Sequence, residues 1–322
     1  MAEPLVVAVV GPTAAGKSDL SVALCKRLGG EVVNADAMQV YRGMDIGTAK
    51  ISTAERDGVP HHLLDILDVT ETATVAEFQQ LARAAIDDCV ARTVVPVLAG
   101  GSALYIRAIL DDFTFPGTDP VVRRRLEAEL DDIGSGALHR RLAETDPKAA
   151  EQILPSNGRR IVRALEVIEI TGGPYVATLP EHRYVYRGAV QLGLDVPRPE
   201  LDERIGRRVD RMFDAGFVDE VRGLLNKGLI EGKTANRALG YAQVIALLNG
   251  EIDEAEARER TAQATRRFAR RQDSWFRKDQ RISWLRYDDP DLLEKALAVI
   301  AEGNRRGIGG VVGVREGSDA RG

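Results

Sequence analysis

Eight residues near the amino terminus, Gly11-Pro12-Thr13-Ala14-Ala15-Gly16-Lys17-Ser18, have the types and spacing of a loop that cradles phosphate. Glycines at both ends let backbone N–H groups wrap an anion, and a helix beginning at the end of the loop adds its positive end. Lys17 supplies a point charge, and the Ser18 hydroxyl is placed to ligate Mg²⁺. The chemistry open to such a loop is the binding and activation of a polyphosphate. What precedes and follows it fits: Leu5-Val6-Val7-Ala8-Val9-Val10 is an apolar run that reads as a buried strand, and Asp19-Leu20-Ser21-Val22-Ala23-Leu24 reads as a helix.

A loop of this kind in a nucleotide hydrolase is paired with an Asp at the end of another core strand, which helps hold the metal. The best later strand, Val94-Val95-Pro96-Val97-Leu98-Ala99, instead ends in Gly100-Gly101-Ser102. The acid is elsewhere, at Asp36, directly after the short strand Glu31-Val32-Val33-Asn34-Ala35. A phosphate cradle beside a carboxylate points to chemistry in which diphosphate leaves and a base removes a proton. It does not point to a nucleotide switch. The plain alternative for Asp36 is a loop or N-cap carboxylate.

The elements that must position these groups read as a parallel α/β sheet. Strands at 5–10, 31–35 and 94–99 alternate with helices near 17–28 and 75–92. In such a sheet the carboxyl ends share one edge, and ligands bind in the crevice there. The phosphate loop, Asp36 and Gly100-Gly101-Ser102 each follow a strand and are expected to meet in one cleft. The pattern breaks near residue 117. From 121 to 172 only helical patterns occur, at 120–132, 136–145, 147–153 and 156–171, with arginines at 123–125, 140–141 and 159–163. A strand pattern returns at 189–194, and helices follow at about 199–228, 234–249, 253–280 and 290–302. The expected organisation is therefore an α/β core over 1–116 and 189–302. An all-helical insertion over 117–188 interrupts it, and a glycine-rich, disordered tail over 303–322 ends it.

Composition is that of an ordinary globular chain, 44% hydrophobic and 29% charged. Cys25 and Cys89 match no zinc spacing and no disulfide framework, so a reducing cytoplasm is the expected location. The first apolar run is too short for a signal peptide or a membrane span. A net charge of −5 argues against a nucleic-acid partner, but its distribution does not. Residues 1–117 carry 9 basic and 15 acidic side chains, whereas 256–286 carry 10 basic and 4 acidic. That asymmetry is compatible with a local phosphate-contacting face, or with a solvated basic helix. Within it, Phe268, Trp275 and Ile282 recur every seven residues as an apolar stripe, with Arg266, Arg270, Arg277 and Arg281 on a neighbouring face. His61 and His62 are adjacent, lack a third ligand at metal spacing, and read as structural or substrate-positioning groups.

Taken together these motifs resemble the bacterial tRNA dimethylallyltransferases. The residues that carry the resemblance are 11–18, 36–41, 47–50, 61–65 and 100–105, with Arg163-Ala164-Leu165-Glu166-Val167, Arg237-Ala238-Leu239-Gly240-Tyr241 and 270–277. They span the chain to about residue 286. Ala37, Ser102 and Ala14-Ala15 are small departures from the family's usual Ser, Thr and Ala-Ser, and no C-terminal zinc finger of the eukaryotic kind is present.

The resemblance implies a P-loop NTPase-like parallel sheet flanked by helices, with an all-helical insertion. It also implies transfer of a dimethylallyl group from dimethylallyl diphosphate to N6 of the adenosine next to the anticodon. Gly11, Pro12, Thr13, Ala14, Ala15, Gly16, Lys17, Ser18 and Arg208 would hold the diphosphate, with Mg²⁺ on Ser18. Asp36, Lys17 and Ser102 would be catalytic, Asp36 as general base. The anticodon stem-loop of tRNA would meet Asp36, Ala37, Met38, Gln39 and Ser102. On the insertion it would meet Arg123, Arg159, Arg160, Ile161, Val162 and Arg163. Farther on it would meet Arg237, Ala238, Leu239, Gly240 and Tyr241, then Arg270, Arg271, Gln272, Asp273, Ser274, Trp275, Phe276 and Arg277. No membrane and no obligate protein partner is expected. A small-molecule P-loop kinase, a non-catalytic RNA-binding protein and an enzyme prenylating free AMP are the competing readings.

Overall fold

The computed structural model describes residues 3–112, 115–175 and 182–309, without the side chains of 304–309. Six strands form one parallel sheet: β1 (Leu5–Val10), β2 (Gly30–Asn34), β3 (His61–His62), β4 (Val95–Gly100), β5 (Gly188–Asp195) and β6 (Ile282–Arg286). Their spatial order is β3-β2-β4-β1-β5-β6. β1 is central, with every side chain from Val6 to Val10 fully buried, as a parallel strand covered on both faces requires. Its connection to β2 steps over β4, while β5 lies on its other side. This reversal of winding opens a crevice at the carboxyl end of β1.

Helices α1 (Lys17–Leu28), α2 (Val75–Ala91) and α3 (Ala103–Leu110) follow β1, β3 and β4. The helix α1 starts at Gly16 with no side-chain cap and ends on Gly29 at φ 63°. Its first N–H groups thus keep no side-chain partner at the cap. By contrast α2 starts with a capping box, in which Thr74 accepts from the Glu77 N–H and its hydroxyl bonds the Glu77 carboxylate.

The chain divides into two compact units, residues 1–111 with 183–322, and residues 112–182. The second contains α4 (Pro120–Thr145), α5 (Pro147–Gln152) and α6 (Gly158–Thr171). Asp119 caps α4 and Pro120 sits at its first turn; Gly134, at φ 77°, kinks it where two helices were expected. Leu126, Leu138, Leu142, Ile161 and Leu165 form that unit's core.

In the first unit, the helix expected over 199–228 is two: α7 (Arg198–Asp214) and α8 (Phe217–Leu225), broken at Gly216 with φ 97°. The expected helix 234–249 begins with a single 3₁₀ turn over Ala235–Arg237, and only α9 (Tyr241–Leu248) is α-helical. The long helix α10 (Glu254–Phe276) stops short of its expected end at 280, and β6 begins at Ile282. The last helix, α11 (Leu292–Gly309), runs seven residues past its expected end. The expected disorder of 310–322 lies outside the described residues. Among the described residues no helix is long and apolar enough to cross a membrane.

The carboxyl edge leaves no spare volume at Gly100. A Cβ there would lie 2.5 Å from the carbonyl oxygen of Ala35, which is backbone and cannot swing aside. Gly100→Ala is expected to cost about 1–3 kcal/mol by overpacking, read as a lower urea midpoint with an unchanged m-value.

Candidate active site

The phosphate loop owes its shape to three left-handed or strained residues. Gly11 has φ 138°, Ala14 φ 65° and Gly16 φ 99°. Gly11 also lies against Leu194 of β5, whose carbonyl oxygen would stand 3.2 Å from an added Cβ. Two side chains from distant helices hold the loop from outside. Gln272 of α10 accepts the Thr13 N–H through Oε1 at 2.9 Å and donates through Nε2 to the Gly101 carbonyl at 2.8 Å. Arg204 of α7 donates through Nε to the Ala14 carbonyl at 2.8 Å and rests over the Tyr287 ring at 4.8 Å.

Around this loop is a cavity of about 1470 Å³. Thr13, Gly16, Lys17 and Ser18 line one side; Asn34, Asp36, Gln39, Ala99 and Gly100 line it at the ends of β2 and β4. Lys17 folds back so that Nζ donates to the Pro12 carbonyl at 2.8 Å. Burial, reinforced by Arg208 and opposed by Asp36, holds the Lys17 amine down at about 8. Burial also lowers Arg208, again with Asp36 opposing. Two partly dehydrated cations therefore sit near one carboxylate. An anion entering between them recovers the electrostatic cost of placing them together.

Asp36 is held by its own segment. Buried Asn34 accepts the Asp36 N–H at 2.9 Å and donates to the carbonyls of Asp36 and Leu63, each at 3.1 Å. Oδ1 of Asp36 accepts the Met38 N–H at 2.9 Å, while Oδ2 has no hydrogen-bond partner among the described residues. A carboxylate oxygen with its lone pairs free, in a cavity it shares with two cations, has what a proton acceptor needs. Ser18 is exposed and its hydroxyl has no hydrogen-bond partner among the described residues, so it is open to a hard cation that also takes phosphate oxygens; such a donor set fits Mg²⁺.

Further basic groups come from α7, where Arg204, Arg207, Arg208 and Arg211 all line the cavity. Their spacing of three and four residues puts them on one helix face, a signal present in the sequence but drawn on only for Arg208. The motifs at 47–50 and 61–65 meet through Lys50, whose nearly buried Nζ donates to Asp45 at 2.7 Å, Asp65 at 2.6 Å and the Tyr41 carbonyl at 2.7 Å.

Several expected site residues are placed otherwise. Ser102 caps α3 but does not line the cavity, so of the Gly100-Gly101-Ser102 turn only Gly100 reaches it. Ile161 and Val162 are core residues of α6; Ala238, Gly240 and Tyr241 are buried, and so are Gln272 and Phe276. All seven are buried, and of them only Gln272 lines the cavity. The apolar stripe on α10 is also corrected. Trp275 is 47% exposed and Ile282 is in β6, while the buried face carries Ala257, Thr261, Ala262, Ala269, Gln272 and Phe276. Arg281, expected on the basic face, instead pairs with Asp111 at 2.6 Å and Asp279 at 2.7 Å.

Arg123 and Arg163 both bond Glu166, whose side chain is fully buried. Arg277 bonds Asp195 and Asp273 and stacks over Trp284 at 3.7 Å. Arg159, Arg160, Arg237, Arg270 and Arg271 are exposed, as are Ser274 and Trp275, while Asp273 and Leu239 are half-buried. At the amino end of β2, away from the cavity, Glu31, His62 and Cys89 bring three ligand atoms within 4.8 Å of one another. Arg92 already grips Glu31 with two bonds of 2.8 and 2.7 Å and holds its carboxyl down at about 2. His61 turns instead to the Val59 carbonyl at 2.9 Å.

Fold and cavity together define a P-loop-type α/β protein built to bind a phosphorylated substrate beside a free carboxylate. The chain belongs to the IPP transferase family, whose description it matches over residues 39–279. It is 64% identical to a tRNA dimethylallyltransferase of Thermobifida fusca, covering 92% of this chain and 94% of that one. It is 67% identical to one of Streptomyces coelicolor, covering 92% and 96%. Among solved structures it is similar to a tRNA isopentenylpyrophosphate transferase of Bacillus halodurans, with TM-score 0.71 and 40% identity over 95% of this chain and 99% of that one. It is also similar to a eukaryotic dimethylallyltransferase acting on tRNA, with TM-score 0.79 and 25% identity over 97% and 81%.

Because the Lys17 amine is held near 8, its charge is lost as pH rises through that value, whereas a guanidinium keeps its charge. Inorganic diphosphate is expected to bind less tightly at pH 9 than at pH 7. Lys17→Arg should flatten the difference, and titration calorimetry of both proteins at the two pH values measures it.

Proposed function

We propose that this chain transfers the dimethylallyl group of dimethylallyl diphosphate to N6 of the adenosine next to the anticodon of tRNA, releasing diphosphate. The observation that carries the reading is the free Oδ2 of Asp36 on the wall of a cavity whose other side is the phosphate loop with Lys17 and Arg208. The relatives' names support the donor and the acceptor class.

In this reading the loop N–H groups after Thr13, together with Lys17 and Arg208, bind the diphosphate and stabilise the charge it gains as it leaves. The bond between the allylic carbon and the diphosphate oxygen breaks, and its electron pair stays on that oxygen. The N6 lone pair forms the new carbon–nitrogen bond, and the N6 proton passes to Asp36 Oδ2. The lone pair is delocalised into the purine, so without a base N6 is a poor nucleophile. Mg²⁺, held by Ser18 and the diphosphate, would add neutralising charge to the leaving group. The adenine must leave its stack to reach the cavity. As an acceptor of this kind is found where tRNA is, we place the reaction in the cytoplasm.

For the RNA backbone we retain the exposed arginines. Arg237, Arg270 and Arg271 have no ionic partner among the described residues, so their charge is available to phosphates. On the smaller unit Arg159 and Arg160 are the exposed candidates. Arg123 and Arg163 neutralise buried Glu166, and we assign them to the stability of that unit.

Labelled donor incubated with tRNA, with AMP, or with ATP replacing the donor separates the readings: incorporation into tRNA alone is expected. Asp36→Ala should lower kcat by roughly 10²–10⁴ while tRNA and donor dissociation constants stay within a few-fold of the wild type. A variant turning over at the normal rate removes Asp36 as the base.

Arg270→Ala and Arg271→Ala are each expected to reduce the slope of log affinity for tRNA against log salt by about 0.7–0.9, with the melting temperature unchanged. Arg123→Ala should do the reverse, lowering the melting temperature and leaving the slope intact.

A further inference from the structure

Glu220, in the first turn of α8, touches no cavity surface, yet it holds one wall of the cavity. Its Oε2 accepts the N–H groups of Asp45 at 2.9 Å and Ile46 at 2.6 Å. Its Oε1 accepts the N–H of Gly47 at 3.0 Å and the hydroxyl of Tyr241 at 2.7 Å. Four donors fill the four lone-pair sites of a carboxylate. Burial, with Glu220 beside it, pushes the Tyr241 phenol up, so the hydroxyl remains a donor. A saturated carboxylate has nothing left for a substrate and can act only through the turn it binds.

That turn supplies Asp45, Ile46, Thr48, Ala49 and Lys50 to the cavity lining. It closes on itself through the Ala49 N–H to the Ile46 carbonyl at 3.0 Å and the Thr48 hydroxyl to the Met44 carbonyl at 2.5 Å. Its far end carries the Thr48 and Ala49 carbonyls, which receive both bonds of the Gln39 side-chain amide, at 3.2 and 3.3 Å. Gly47 is pressed onto the Phe217 and Tyr241 rings so closely that a Cβ would come within 2.2 Å of one and 2.7 Å of the other. Those rings stand edge to face, their centroids 5.1 Å apart, and α8 and α9 cannot yield easily there. A continuous path of hydrogen bonds thus runs from Glu220 through the turn to Gln39, three residues from Asp36.

We propose that Glu220 is a positioning residue for transfer: by gripping three successive N–H groups it sets the turn that orients the Gln39 amide, and with it the acceptor-facing side of the cavity beside Asp36. The proposal rests on the transfer reaction given above. The phosphate loop, Lys17 and Arg208 have no part in this path, so donor binding should not respond to it.

The test compares wild type, Glu220→Gln, Gln39→Ala and the double variant in steady-state transfer to tRNA, with tRNA affinity and melting temperature measured alongside. In Glu220→Gln an NH₂ replaces one acceptor oxygen and faces donors, so the turn loses its grip. The expected result is a fall in kcat of about ten-fold or more, with donor KM and tRNA dissociation constant within two-fold of wild type. The double variant should be no slower than the slower single, because both act through one turn. A normal kcat in Glu220→Gln overturns the proposal; so does a loss that spreads equally over kcat, donor KM and tRNA affinity, or multiplicative losses in the double variant. If Glu220→Gln is recovered unfolded, Glu220→Asp, which keeps the charge but reaches fewer of the three N–H groups, is read by the same criteria. Wild-type protein that transfers nothing to tRNA defeats the reaction assignment instead.

Discussion

Two cations and a carboxylate share one partly dehydrated cavity, and the geometry of the site depends on the balance among them. Burial lowers the Lys17 amine and the Arg208 guanidinium, Arg208 adds to the pressure on Lys17, and Asp36 opposes both shifts. The arrangement is therefore poised to accept a multiply charged anion, which both cations attract. The loop and the end of β2 line one cavity, so the carboxylate and the two cations act on whatever enters it.

Backbone geometry alone does not hold such an assembly. The loop residues are consecutive, but their supports come from α7 and α10, nearly 200 and 260 residues later in the chain. Gln272 is instructive because its one amide serves both the loop and the turn after β4, so a single side chain joins two strand ends. A buried amide with one end left unbonded would cost about 1–3 kcal/mol, which ties the position of α10 to that of the loop.

The parts of the fold that were legible in the sequence are those where local and tertiary preferences agree. The strands β1, β2 and β4 are short runs whose central valines are buried, and the phosphate loop is bounded by glycines that its dihedral angles require. The strand β6 was not foreseen, because Ile282–Arg286 is short, lies on the sheet edge and follows an arginine-rich helix. Gln272 was assigned to tRNA with the whole 270–277 segment, on resemblance. Yet its spacing of three from Ala269 and four from Phe276 marks the buried face, and that period was available. Asn34, Arg204 and Glu220 could not have been found by spacing, since each acts on backbone groups brought near only by the fold. Arg123 and Arg163 illustrate the converse. A cluster of basic residues on an insertion suggests a nucleic-acid surface, but both of these guanidiniums bond one buried carboxylate, Glu166, a contact that spacing does not announce.

The way the smaller unit joins the larger has a consequence of its own. Its flanks, Asp111 and Arg183, lie next to one another: Asp111 bridges Tyr184, and the Val185 N–H donates to the Leu110 carbonyl at 2.8 Å. A segment whose two ends enter and leave at neighbouring points makes no demand on the path of its host. The helical unit is thus a guest in the topological sense. It could be lengthened, exchanged or pared back to a hairpin turn without rethreading the sheet, and the ancestry of the α/β core need not be the ancestry of what it carries.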